Sequence, residues 1–286
     1  MSDAIVVEDL PYAFGDLVAV NHISFNVGEG EIVGFLGPNG AGKTTTVKML
    51  TGQLKPQTGR AVLLGHDVVT EQAAVQRQIG VSFEATNVYE EMSAEENLRL
   101  FARLFGVRDF DSTAMLARIG LTGREKSRVG EYSKGMKQRL MVARAMVSKP
   151  RILFLDEPTS GLDPASAEAI RSIILEERGR GATIFLTTHD MMEADKLSDR
   201  VAFMNQGRIV ALDTPHNLKQ QYGTRALRAT VATGAGLEKR EIPLDAATTA
   251  NAVRDLFANE KVVTVHSEEA TLEEIFIKLT GRGLDR

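Results

Sequence analysis

The sequence has 286 residues, 43% hydrophobic and 25% charged, a balance that suits one large globular domain with a small appendage and excludes disordered and fibrous classes. Its formal net charge of −4 removes the basic footprint of a chain that grips nucleic acid or an anionic membrane by itself, and its lack of cysteine excludes disulfides, thiolate catalysis and Cys-based metal sites. No apolar run approaches the roughly 20 residues of a spanning helix, and the acidic start MSDAIVVEDL is unlike a signal peptide, so the expected location is the cytoplasm.

In chain order, β-branched runs at Ala4–Val7, Val18–Val20 and Ile23–Val27, followed by Gly28 and Gly30, predict an antiparallel β layer. Glu31 to Leu36 is a nearly continuous apolar run, as in a strand buried on both faces, and a helix is predicted from Gly42 to Leu50. From about Ala85 to Ser148 the apolar spacing becomes helical, through Leu98, Leu100, Phe101 and Leu104 and then Met115, Leu116 and Ile119, which predicts a helical insertion. Strands at Arg151–Leu155 and Thr183–Thr187 around a helix at Ala165–Glu177 give the βαβ rhythm of a parallel sheet. The pattern weakens near Gly223, so a domain of residues 1–222 is expected to precede a small α+β appendage of residues 223–286. That appendage has strands at Ala226–Val231 and Val262–His266, and a last helix opened by the capping box of Thr271 and Glu274.

The stretch Gly37, Pro38, Asn39, Gly40, Ala41, Gly42, Lys43, Thr44 fits GxxxxGK[ST] and lies between a buried strand and a helix, the context a phosphate-binding loop requires. Its glycines let backbone N–H groups turn toward phosphate oxygens, and the helix start adds partial positive charge. Lys43 is expected to hold the β- and γ-phosphates and Thr44 a Mg²⁺ ion, with Thr45 the next residue of the same turn. A second apolar strand ends in Asp156 and Glu157; the first suits Mg²⁺ and the second the base that polarises water. His189 follows a third such strand, so it too is expected at the carboxyl edge, where an imidazole can meet a γ-phosphate oxygen. His22, His66, His216 and His266 are read as structural or surface residues.

With these motifs aligned, residues 3 to 222 resemble the nucleotide-binding subunit of ATP-binding-cassette transporters. Tyr132-Ser-Lys-Gly-Met-Lys-Gln-Arg139 is similar to the family's signature segment, Ser160-Gly-Leu-Asp163 to its D-loop, and Thr188-His189-Asp190 to its switch histidine. Phe14 resembles the aromatic that stacks on adenine, with Tyr12 as the alternative. The resemblance implies a P-loop NTPase of α/β class with a parallel central sheet, an antiparallel β layer, a helical subdomain and the C-terminal appendage. It also implies a head-to-tail dimer in which the phosphate loop of one copy and Ser133, Lys134, Gly135 and Met136 of the other, with Asp163 nearby, sandwich ATP and Mg²⁺.

Three positions in two segments depart from the family pattern. The Q-loop glutamine, implied as a metal contact, is replaced by Glu84, and the signature carries Lys134 for glycine and Met136 for glutamine. The closing segment Leu272 to Gly281 resembles exporter-type subunits for drugs, polysaccharides or lipids. The leading expectation is therefore an ATPase that powers a separately encoded membrane permease, docked through Asn87, Val88, Tyr89 and Met92 and held at the inner face of the cell membrane. The alternative, a soluble cassette acting on nucleic acid or the ribosome, is opposed by the short spacing of Lys43 and Asp156, 156 − 43 = 113 positions, and by the absence of heptads and basic runs. A nucleotide-binding regulator without turnover is opposed by Glu157 and His189.

Overall fold

A computed structural model describes residues 2–223, 226–234, 236–244, 247–268, 270–281 and 283. The chain begins with two long strands, β1 (Asp3–Phe14) and β2 (Leu17–Gly28), paired antiparallel so that Phe14 faces Leu17 across the turn. The buried run at Ile32–Leu36 is β3, and the phosphate-loop residues lead directly into α1 (Lys43–Leu50). Then come β4 (Arg60–Leu63), β5 (His66–Asp67), α2 (Gln72–Gln76) and β6 (Ile79–Ser82). The helical stretch resolves into α3 (Ala94–Leu104), α4 (Ser112–Arg118) and α5 (Lys134–Met146). Alternation resumes with β7 (Ile152–Asp156), α6 (Pro164–Gly179), β8 (Thr183–Thr188), α7 (Met191–Leu197), β9 (Arg200–Asn205) and β10 (Arg208–Asp213).

Six strands form the central sheet in the order β10-β9-β3-β8-β7-β6, and β3 is parallel to both β8 and β9, as β7 is to β6 and β8. The antiparallel layer has the order β2-β1-β4-β5. Side chains alternate across a strand, and here the two faces feed two different cores. Val33, Phe35, Phe154 and Phe185 join the antiparallel layer and α1. Ile32, Leu153, Leu155, Ile184 and Leu186 join α3 to α6. On the first face, the Phe35 and Phe185 rings lie 4.5 Å apart, with Phe154 5.4 Å from Phe185 and Phe25 4.8 Å from Phe35. Burial on both faces explains why these strands read as unbroken apolar runs. Helix α5 belongs to the sheet as much as to the helical insertion, since it packs on β6 and β7 as well as on α3.

Internal contacts divide the chain into two units between Leu212 and Asp213. The sequence pattern weakens only near Gly223; the intervening residues form α8 (Pro215–Tyr222), which packs on the C-terminal helix α10 (Leu272–Thr280) of the second unit. Between them lie β11 (Ala226–Thr233), β12 (Gly236–Pro243), α9 (Thr249–Asn259) and β13 (Lys261–Glu268). The strands form an antiparallel sheet in the order β12-β11-β13, whose Ala229, Val231 and Ile242 pack with Leu256 of α9. Thr271 and Glu274 make the expected reciprocal cap of α10, and Leu272, Ile275 and Phe276 bury its stripe.

Candidate nucleotide site

The loop before α1 is shaped by contacts that exclude side chains. A Cβ on Gly37 would lie 2.2 Å from the Met204 carbonyl oxygen, and one on Gly42 2.4 Å from that of Ala19; Gly42 also has φ of 106°, a region that favours glycine. With these clearances the backbone wraps closely enough that Lys43, almost fully buried, donates from Nζ to the Gly37 and Pro38 carbonyls. Phe14, Pro38, Asn39, Gly40, Ala41, Gly42, Lys43, Thr44, Thr45, Glu84 and Glu157 line one cleft. Phe14 is half-exposed at that cleft, and Tyr12 supports it edge-on at 4.9 Å rather than lining it. The apolar wall formed by Leu17, Val18 and Ala19 was not expected from sequence; its only signal is the short turn that pairs Leu17 with Phe14.

Parallel pairing sets the carboxylates. Asp156 faces Thr187 across β7 and β8, and the Thr187 hydroxyl donates to Asp156 Oδ1 while its oxygen accepts the Glu157 N–H at 3.1 Å. The Thr187 carbonyl accepts the same N–H at 3.0 Å. One threonine thus pins both acids, a role no motif announced. Thr44 Oγ1 donates to Asp156 Oδ1 at 3.1 Å, which places a hydroxyl and a carboxylate side by side next to the phosphate loop. Such hard oxygen donors, one of them an acid, fit Mg²⁺, which takes a few protein ligands and keeps phosphate and water for the rest.

Glu157 adopts φ of 51°, in the left-handed region where a residue with a Cβ is strained. Its buried carboxylate lies between two partners: Oε1 is 3.4 Å from Lys43 Nζ, and Oε2 is 2.8 Å from Nδ1 of the half-exposed His189. Oε1 makes no hydrogen bond, so an acceptor remains unmet in the floor of the cleft. The segments that follow β3, β7 and β8 thus meet at Lys43, Glu157 and His189.

Ser133, Lys134, Gly135, Met136 and Asp163 are not among the residues lining this cleft. They gather with one another on the same unit. Ser133 caps α5 by accepting the Met136 N–H at 3.3 Å, and Asp163 caps α6 by accepting the Ser166 N–H at 3.0 Å. The Ser166 hydroxyl, and then its N–H, hold the Asp163 carboxyl below the usual carboxylate range. Gly135 packs on Ser166, and the Lys134 ammonium lies over Gly161. Of the residues expected to dock a partner, Asn87 and Tyr89 are exposed, Val88 instead packs against the second core and Met92 is half-buried.

Residues 20–160 match the model of the ABC transporter family. Over 267 residues the chain is 46% identical to a fluoroquinolones export ATP-binding protein of Mycobacterium tuberculosis, spanning 93% of this chain and 89% of that protein. It is 36% identical to a Nod factor export ATP-binding protein of Burkholderia orbicola, over 94% of each. A solved structure described as the ATP-binding subunit of an ABC transporter superposes with a TM-score of 0.71 at 31% identity, covering 77% of this chain and 93% of that one. A nucleotide-free cassette at 24% identity has the same fold, with a TM-score of 0.68. The phosphate loop, the acids at the end of β7 and the histidine at the end of β8 thus occur in a chain that belongs to the ABC transporter family, as an ATP-binding ATPase subunit.

Proposed function

We propose that two copies of this chain pair head-to-tail and hydrolyse ATP at sites they share, and that this work drives a separate membrane permease in export. The observation that carries the catalytic part is the Glu157 carboxylate, buried between Lys43 and His189 with one oxygen unbonded. A carboxylate held beside the phosphate loop is suited to take the proton of an attacking water as its oxygen bonds the γ-phosphorus and ADP departs. His189, tethered to Glu157, orients that water and contacts the terminal phosphate. Lys43 neutralises phosphate charge, and Phe14 stacks on adenine. Thr44 and Asp156 would hold Mg²⁺, with Glu84 at its margin; the ion, when bound, supplies charge stabilisation of the phosphates.

Dimerisation is supported by the separation within one chain of the two halves that the family's site combines. The start of α5, where Ser133 and Lys134 are exposed, offers amides and a positive dipole end to the ATP of a second copy. Export is inferred from the relatives' names, which specify fluoroquinolones and Nod factor for those proteins. No helix among the described residues is long and apolar enough to cross a membrane. A permease is accordingly inferred to hold the chain at the cytoplasmic face, through the exposed surface at Asn87 and Tyr89, where the Tyr89, Phe101 and Phe105 rings follow one another at 6.2 Å. Residues 223–286 are assigned an accessory role; the Mycobacterium relative aligns over 267 residues, more than the 222 that precede this region, and so shares part of it.

Steady-state ATP hydrolysis measured across protein concentration, beside Glu157→Gln and gel filtration in ATP, tests both parts. The expected result is activity that rises faster than linearly, and a variant that is at least about 100-fold slower yet dimeric in ATP. A linear dependence together with an active variant rejects the reading.

A further inference from the structure

Beneath the catalytic pair lies a buried acid that the chemistry above does not use. Glu193, the third residue of α7, is 2% exposed. Its Oε2 accepts a hydrogen bond from the Thr159 hydroxyl and another from the Thr188 hydroxyl at 3.4 Å. Thr159 is two residues beyond Glu157, and Thr188 immediately precedes His189. The other oxygen, Oε1, has no hydrogen bond; it faces Arg171 Nε of α6 across 3.9 Å, and that nitrogen is also buried without one. Burial pushes the Glu193 carboxyl up, and the neighbouring Asp190 adds to the rise, while the Thr159 and Thr188 hydroxyls and Arg171 oppose it.

A carboxylate in the interior is costly, and one left half-satisfied calls for a reason beyond packing. An apolar residue would fill the same space without that cost. What the carboxylate adds is a common anchor for the loop after β7 and the end of β8, at sequence positions 188 − 159 = 29 residues apart. We propose that Glu193 is a positioning residue for hydrolysis: by holding the Thr159 and Thr188 hydroxyls it fixes the spacing between Glu157 and His189. The strained backbone at Glu157 gives this anchor something to resist, because a loop held at φ of 51° relaxes when its restraint is lost. The inference rests on the reading of Glu157 and His189 as the hydrolytic pair.

The test uses the full chain with Mg²⁺ and ATP, comparing Thr159→Val, Glu193→Ala, Glu193→Gln and the Thr159→Val/Glu193→Ala double variant. Misplacement by a fraction of an ångström predicts kcat lower by on the order of 10-fold in Thr159→Val and Glu193→Ala, with KM for ATP held within about twofold. Glu193→Gln keeps an acceptor oxygen for Thr159 and is expected to retain most of kcat. Two changes to one restraint should not multiply, so the double variant is expected to match the slower single one. Wild-type kcat in folded Thr159→Val and Glu193→Ala overturns the proposal, as do losses that multiply, or a loss in Glu193→Gln that follows its melting temperature. If Glu193→Ala does not fold, Thr159→Val and Glu193→Gln still decide. Glu157→Gln in the same assay separates the two levels: a silent Glu157→Gln with unaffected Thr159 and Glu193 variants sinks this inference alone, whereas an active Glu157→Gln sinks the reading beneath it.

Discussion

Two helices of the first unit begin with a lysine among glycines, and their surroundings are opposite. At the start of α1, Lys43 is buried, its ammonium donates to two carbonyls and faces Glu157, and the loop before it is clamped against β2 and β9. At the start of α5, Ser133 and Lys134 are exposed, Gly135 packs on Ser166 of α6, and Met136 rests against the second core. A helix start interlocked with charged side chains is preorganised for a ligand; one that ends in solvent can contribute its amides only to something brought to it. Within one chain, an interlocked helix start and a solvent-facing one therefore coexist, and the proposed shared site rests on that contrast.

The largest effect that would sharpen this contrast is expected from Lys43→Ala. It leaves the buried Glu157 carboxylate without its ammonium, which costs about 3 kcal/mol of folding stability, measurable by denaturant titration. It should also weaken ATP binding by about 10- to 100-fold, measured by calorimetry. Next comes Gly135→Ala, whose new methyl would meet the Ser166 hydroxyl at 2.4 Å and push the start of α5 outward. Overpacking of this kind costs about 1–3 kcal/mol. Here turnover is expected to drop while ATP affinity of the single chain stays at wild type; an equal loss of affinity would break the comparison. The smallest effect is expected from Glu84→Gln, which removes one negative charge at the rim of the cleft. It should shift the Mg²⁺ concentration for half-maximal hydrolysis or raise turnover by a few-fold at most, about 1 kcal/mol or less; no change in either quantity removes Glu84 from the site.

Much of this was legible in the chain itself. The phosphate loop could be placed because its signal is local: a buried run, a glycine pattern and a helix occur in sequence within about 20 residues. The same holds for the β7 and β8 strands, whose unbroken apolar runs follow from burial on both faces, and for the Thr271 cap, which is complete within four positions. By contrast β12 escaped notice because it is a sheet edge with Ile242 as its buried residue, so its polar sequence carries no alternation to read. Val88 escaped for the converse reason: a single apolar side chain in a surface segment gives no sign of which way it turns.

Sequence by itself singled out the residues proposed for phosphate and proton chemistry, and placed them where buried strands end or a helix begins, since each of those readings depends on neighbours within one segment. Only the tertiary structure decided how they are held. The Thr187 bracket on Asp156 and Glu157 depends on the register of β7 against β8, the choice of Phe14 over Tyr12 at the cleft on the pairing of β1 with β2, and the meeting of Glu193 with Thr159 and Thr188 on the packing of α7 against the end of β8 and the loop after β7. These relations join residues brought together by strand register and core packing, which are set by the balance of many weak contacts across the fold and leave no local trace in the chain.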